Sequence, residues 1–268
     1  MYQTHRYARE TVVDIDAAVI GTGSIDWLPV PGGTTDEDAA RALMNTHQFD
    51  VLPVQTADGL AYYHTLRWGD FSSVALAEVD YEDTLPLDTP VREVFRRLAT
   101  DERHFFFLTD EYRISGLLTI ADLNCRQVRT YLFSLLSDLE LQLGHLLLRH
   151  FNERAATAED RSALIRKPEM RERYEREREE GVARSVVEYL FLPDFLDAVK
   201  RHGLFGAVGY PSKKQFDKAF SSLVNLRNQV AHPVKSLIDG PAAVGKLWAK
   251  MEVIERALFR LRTVSRLP

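Results

Sequence analysis

The residues best suited to chemistry in this chain stand together in the run Leu226-Arg227-Asn228-Gln229-Val230-Ala231-His232-Pro233. The planar guanidinium of Arg227 can hold an oxyanion such as phosphate and the charge that develops on it. His232, with an ordinary pKa of about 6.5, can give or take a proton near neutral pH. Asn228 stands one helical turn before His232, on the same face, where its amide can orient the imidazole. Pro233 lacks an N–H and pushes His232 out of helical geometry, so a helix should end there. Arg227 and His232 are five apart, about 140° around a helix of 3.6 residues per turn. One intact helix does not bring them together; a distorted helix end, or two copies of the chain face to face, would. The alternative is structural: all three residues close the helix, because cations and amides satisfy terminal carbonyls.

A second pair is Thr119 and Asp122. A threonine at a strand-to-helix junction sits beside unsatisfied backbone N–H groups that attract phosphate, and an aspartate one turn later can accept two ribose hydroxyls. Here too a structural alternative stands beside the chemical one, with Thr119 capping the helix and Asp122 in its first turn. Other chemistries find no footing. His145 and His150 are five apart without a Glu or Cys companion, so no metal site is expected. There is no phosphate-cradling Walker loop and no G-x-S-x-G turn, and Gly21-x-Gly23 lacks the rest of a dinucleotide fingerprint. Glu140, on the long helix, is a further, weaker candidate for a polar partner. Cys125 is the only cysteine, which excludes an internal disulfide, fits a reducing compartment and is read as packing.

The elements that must position these residues are legible as hydrophobic periods. In the first half, Thr34 or Thr35 is expected to cap a helix from about Asp36 to Asn45. Strands follow at Val51–Val54 and Ala61–Tyr63, around a turn at Asp58-Gly59. The order then repeats. Thr89-Pro90 opens a helix with Pro at its first position, carrying Val91, Val94, Phe95 and Leu98. Strands at Phe105–Leu108 and Ile114–Leu118 flank a turn at Asp110-Glu111, and Thr119 to Asn124 enters a helix. The second half reads as helices: Arg126 to Phe151, with Leu132, Leu135, Leu136, Leu139, Leu143, Leu146 and Leu147 as a buried stripe; the charged Glu169 to Glu180; Ser185 to Lys200, interrupted by Pro193; Pro211 to Val230; and Val244 to Val264.

Charge divides the chain as well. Residues 1–125 hold 9 arginines, no lysine and 21 acids, a net −12, whereas 126–268 hold 25 basic and 18 acidic residues, a net +7. The split fits two domains with different partners, the second better suited to a polyanion. The first residues lack the apolar core of a secretory signal, and the most apolar helix is broken by Asp138, Glu140, Gln142 and His145. A cytoplasmic protein is expected.

Two resemblances follow from these residues. The runs DEDAARALMNTHQFDVLPVQTADG and VREVFRRLATDERHFFFLTDEYRISGLLTIADL resemble the two units of a tandem CBS-domain pair. The resemblance implies a pseudo-twofold module that binds an adenine nucleotide (ATP, ADP or AMP), with Thr119 on phosphate and Asp122 on the ribose. The first unit departs from the pattern: it reads His64-Thr65-Leu66-Arg67-Trp68, with Trp68 where the Asp would stand, so one site is expected and not two. Arg-Asn-x-x-x-His-Pro at a helix end resembles the HEPN family. It implies a metal-independent endoribonuclease acting as a homodimer, in which the 2′-hydroxyl of RNA attacks the neighbouring phosphate. Arg227, Asn228 and His232 would be catalytic, and no cofactor would be needed for catalysis. The expected architecture is therefore a two-domain α+β chain: a tandem CBS-like α/β pair over 1–128, then a HEPN-like all-α helical bundle over 129–268. The expected activity is nucleotide-regulated RNA cleavage, in a toxin or stress effector with an antitoxin partner. The alternative is a non-catalytic nucleotide-sensing or dimerisation protein.

Overall fold

The computed structural model describes residues 15–30, 36–57, 59–101, 103–111, 113–182, 185–232 and 234–264. Thr34, Thr35, Asp58 and Pro233, which the sequence reading invoked for a cap, a turn and a helix stop, lie outside the described residues. In chain order the elements are α1 (Ala17–Ile20), β1 (Thr22–Gly23), α2 (Glu37–His47), β2 (Val51–Gln55), β3 (Leu60–Thr65), β4 (Val74–Glu78), β5 (Thr84–Pro86), α3 (Val91–Thr100), β6 (Phe105–Asp110) and β7 (Arg113–Thr119). Then follow α4 (Arg126–Glu153), α5 (Ala158–Ser162), α6 (Pro168–Glu179), α7 (Leu192–Arg201), α8 (Lys213–Phe220), α9 (Leu223–Ala231) and α10 (Pro241–Val264). A mixed α/β part thus precedes a helical one. No helix among the described residues is long and apolar enough to cross a membrane.

The chain forms two compact units, Met1–Tyr131 with Pro233–Trp248, and Leu132–His232 with Ala249–Pro268. They differ from the consecutive segments 1–128 and 129–268 in one main respect: residues 233–248 return to the first unit. The cause is a clamp absent from any hydrophobic period. Asn124 donates from Nδ2 to the carbonyl of Ile238 at 2.9 Å and accepts from the N–H groups of Leu237 and Ile238 at 2.8 and 3.1 Å. Arg129 adds a hydrogen bond to the carbonyl of Lys235.

In the first unit, β2-β3-β4 form one antiparallel sheet and β1-β7-β6-β5 the other, with β5 parallel to β6. Alternation along β2 and β3 sends side chains two ways. Leu52, Val54, Ala61 and Tyr63 pack on Ala40 and Met44 of α2. Val51 and Tyr62 meet Phe107 and Leu117 of the other sheet. Pro53, which cannot donate, is tolerated because β2 is an edge strand. The cap of α2 is Asp36, whose Oδ1 accepts from Ala39 N at 2.9 Å. Pro90 is itself the cap of α3 rather than its first residue. Strands β1, β4 and β5 and helix α1 are absent from the sequence reading; β1, β5 and α1 are two to four residues long, too short to show a period.

In the second unit the leucine stripe of α4 is buried as expected, with Leu132, Leu139, Leu143 and Leu147 fully so. Two expected helices are broken. Ser185 to Lys200 resolves into a 3-10 turn at Val186–Tyr189 and α7, where Pro193 stands in the first turn and starts the helix. Pro211 to Val230 resolves into α8 and α9, separated by Ser221 and Ser222. Adjacent serines offer the backbone hydroxyl partners in place of helical ones; Ser221 Oγ donates to the carbonyl of Lys218 at 3.4 Å.

Candidate functional site

The first unit holds a cleft of about 180 Å3. Its lining draws on the residues after β1, the start of β2, the loop after β3 and the end of β7. Thr119 and Asp122, singled out from sequence, both line it, with Trp27, Trp68 and His104. Trp68 and His104 meet edge to face at 5.9 Å. Trp68, the residue that breaks the repeat pattern, is therefore a wall of the same cleft that Asp122 lines.

The chemistry at Thr119 differs from the expectation. Asp122 Oδ2 accepts from the Thr119 backbone N–H at 2.6 Å and from its hydroxyl at 2.9 Å. The pair thus forms a cap over the short 3-10 turn Ile120–Asn124, and both donors are engaged. Burial pushes the Asp122 carboxyl up from the usual carboxylate range, and the two Thr119 bonds oppose the shift. Its Oδ1 makes no hydrogen bond among the described residues, which leaves an acceptor in the cleft. Cys125 follows the turn in extended backbone and is half-buried.

Trp27, His104 and Asp50 also line the cleft and were not found from sequence. Trp27 packs edge to face on Phe107 at 6.2 Å, and its indole N–H is buried without a partner among the described residues. Asp50 Oδ1 accepts from Thr65 Oγ1 and from Gly69 N, both at 2.8 Å, and so fixes the loop that carries Trp68. Trp27 follows the 3-10 turn Ser24–Asp26, where no period or motif singles it out.

In the second unit, α9 ends at Ala231 with His232 as its C-cap in extended backbone. His232 and Asn228 are exposed and Arg227 is half-buried. The three share the last turns of one helix, but among the described residues no hydrogen bond joins Arg227 to His232 or the Asn228 amide to the imidazole. The Asn228–His232 link is the backbone bond, carbonyl to N–H at 3.1 Å. Among the described residues no hydrogen bond runs from these three side chains to the terminal carbonyls of α9. The positive charge of Arg227 acts on Glu140 of α4. Burial pushes the Glu140 carboxyl up, while Arg227 and the Leu192 backbone N–H oppose the shift. Among the described residues Glu140 Oε1 is buried with no hydrogen-bond partner, which is uncommon for a buried oxygen.

No cluster of three His, Cys, Asp or Glu suited to a metal ion occurs among the described residues. No protein-family model matches the chain, and no curated protein matches it.

Proposed function

We propose that this protein senses an adenine ligand, a nucleotide or its nucleoside, through the cleft of its first unit. The observation that carries the reading is the convergence, on one cleft, of the Asp122 carboxylate with the aromatic walls Trp27, Trp68 and His104. A carboxylate oxygen free to accept ribose hydroxyls beside flat aromatic side chains suits a base with its sugar. Titration calorimetry with ATP, ADP, AMP and adenosine tests it. Binding of at least one, weakened by Asp122→Ala, is the expected result. No heat with any of the four overturns it.

A second reading is favoured by the exposure of His232 and Asn228 on the last turn of α9, with Arg227 beside them. In it the helical unit is the effector, a metal-independent endoribonuclease working as a homodimer. The 2′-oxygen of RNA forms a bond to its neighbouring phosphorus as the bond to the 5′-oxygen breaks. His232 of one protomer takes the 2′ proton, the same residue of the partner protonates the leaving 5′-oxygen, and Arg227 holds the phosphate oxygens. The products are a 2′,3′-cyclic phosphate and a free 5′-hydroxyl. In this reading a partner copy supplies the second histidine of the acid–base pair. Cleavage in EDTA that is lost in Arg227→Ala and in His232→Ala is expected; equal activity in all three proteins removes it. An antitoxin partner would then appear as a co-purifying protein that suppresses the activity.

A further inference from the structure

The charge around the cleft restricts what it can take. Three carboxylates line it, Asp26, Asp50 and Asp122, and among its described lining residues there is no lysine or arginine. The two donors that a phosphate would meet at the β7 junction, the Thr119 N–H and hydroxyl, are both turned onto Asp122 Oδ2. The turn that follows is a five-residue 3-10 segment, Ile120–Asn124, too short to present a row of free N–H groups to an anion. Asp50 is held in place by Thr65 and Gly69, so it cannot swing away from an incoming anion without breaking two hydrogen bonds. What remains for a ligand is an acceptor, Asp122 Oδ1, together with the indoles of Trp27 and Trp68 and the side chains of Thr22, Gln48 and His104, none of which carries a fixed positive charge.

We infer that the cleft selects adenine nucleosides with a neutral or cationic 5′ group and discriminates against a 5′-phosphate. The inference rests on the adenine-ligand reading above and narrows it. The ribose hydroxyls donate to Asp122, the base lies among the aromatic walls, and the 5′ end faces carboxylates. Like charges about 8 Å apart at an effective dielectric of about 40 weaken binding roughly fivefold per pair. A phosphate dianion near these carboxylates is therefore disfavoured by about tenfold or more.

The test is a calorimetric titration of the full chain with adenosine, 5′-amino-5′-deoxyadenosine, AMP and ATP, each with and without Mg2+. Adenosine and its 5′-amino analogue are expected to bind at least about tenfold more tightly than AMP, with ATP weakest. AMP or ATP binding as tightly as adenosine, with or without Mg2+, overturns the selection by charge and leaves the adenine-ligand reading standing. Failure of all four overturns both. A second variant separates charge from shape. Asp26 is exposed and its carboxylate makes no hydrogen bond among the described residues, so Asp26→Lys should leave the fold intact. It should move the adenosine-to-AMP affinity ratio toward one; an unchanged ratio overturns the inference.

Discussion

Replacing Asn124 by Ala should release residues 235–238 from the first unit. The Asn124 side chain makes three hydrogen bonds to that segment, at 2.9, 2.8 and 3.1 Å. Leu237 and Ile238, whose backbone groups it satisfies, are 8% and 4% exposed, so water cannot readily replace the lost partner. An ordinary hydrogen bond contributes about 1 kcal/mol net, and a buried group left unpaired costs about 1–3 kcal/mol. Three bonds lost at a buried site therefore amount to about 3 kcal/mol. In a protein of this size that lowers the melting temperature by about 6 °C or more. The sharper assay is amide hydrogen exchange. The Leu237 and Ile238 amides should exchange about 100-fold faster in the variant, since every 1.4 kcal/mol is a factor of ten. Asn124→Asp should keep those two amides protected, because a carboxylate still accepts from both, while setting an oxygen against the Ile238 carbonyl. A melting temperature and an exchange pattern unchanged in Asn124→Ala would refute the clamp.

Other predictions concern the helical unit. The Tyr189 phenol donates to Glu177, which pushes its pKa up to about 12. Because the folded value lies above the unfolded one of about 10, this contribution is complete below pH 10 and is lost as the pH climbs toward 12. Spectroscopic titration should show one late-ionising tyrosine that moves down in Glu177→Gln; no such shift would contradict the assignment. His150 and His202, with ring centroids 5.4 Å apart, are both pushed down, chiefly by burial. Their contribution is present above the unfolded pKa of about 6.5 and declines as the pH falls below it. The double substitution by Gln should flatten the difference in melting temperature between pH 7.5 and 5.5, and an identical difference counts against the pair. Leu139→Ala removes a fully buried side chain from the α4 stripe and should destabilise by about 3 kcal/mol in urea unfolding; a loss below about 1 kcal/mol would mean the site collapses. Glu140 has a carboxyl pushed up by burial, so its ionisation opposes folding as pH rises above about 4.5. Glu140→Gln should raise the melting temperature at pH 8, and a fall there would show that attraction to Arg227 outweighs burial.

What could be read from the sequence followed how strongly each residue's surroundings repeat. The leucines of α4 recur every three or four positions, and that period survives any tertiary detail, so the stripe and the helix were legible. So were β2, β3, β6 and β7, whose apolar runs are bounded by turn residues. The breaks were not. Pro193 reads as an interruption until the chain before it is seen to be a 3-10 turn, and Ser221-Ser222 carries no apolar signal. Thr119 and Asp122 were found as a pair and do line one cleft, but sequence spacing cannot say whether two such groups bond each other or leave their donors free. Trp68 was noticed only as a departure from a pattern, although it forms a wall. The returning segment left no trace, because a single asparagine anchoring backbone groups 113 and 114 residues away has no period at all.

That asparagine also imposes an order of events during synthesis. Ribosomes deliver a chain from its N-terminus, and domains ordinarily begin folding as soon as they emerge. Here the sheets can form early, yet Asn124 has nothing to hold until Leu237 and Ile238 arrive, after the whole stretch from Leu132 to His232 has been made. Anything that stalls elongation between those points leaves a nascent product with an open seam in its first unit, and severing the two expected segments at 128/129 would recreate that seam permanently.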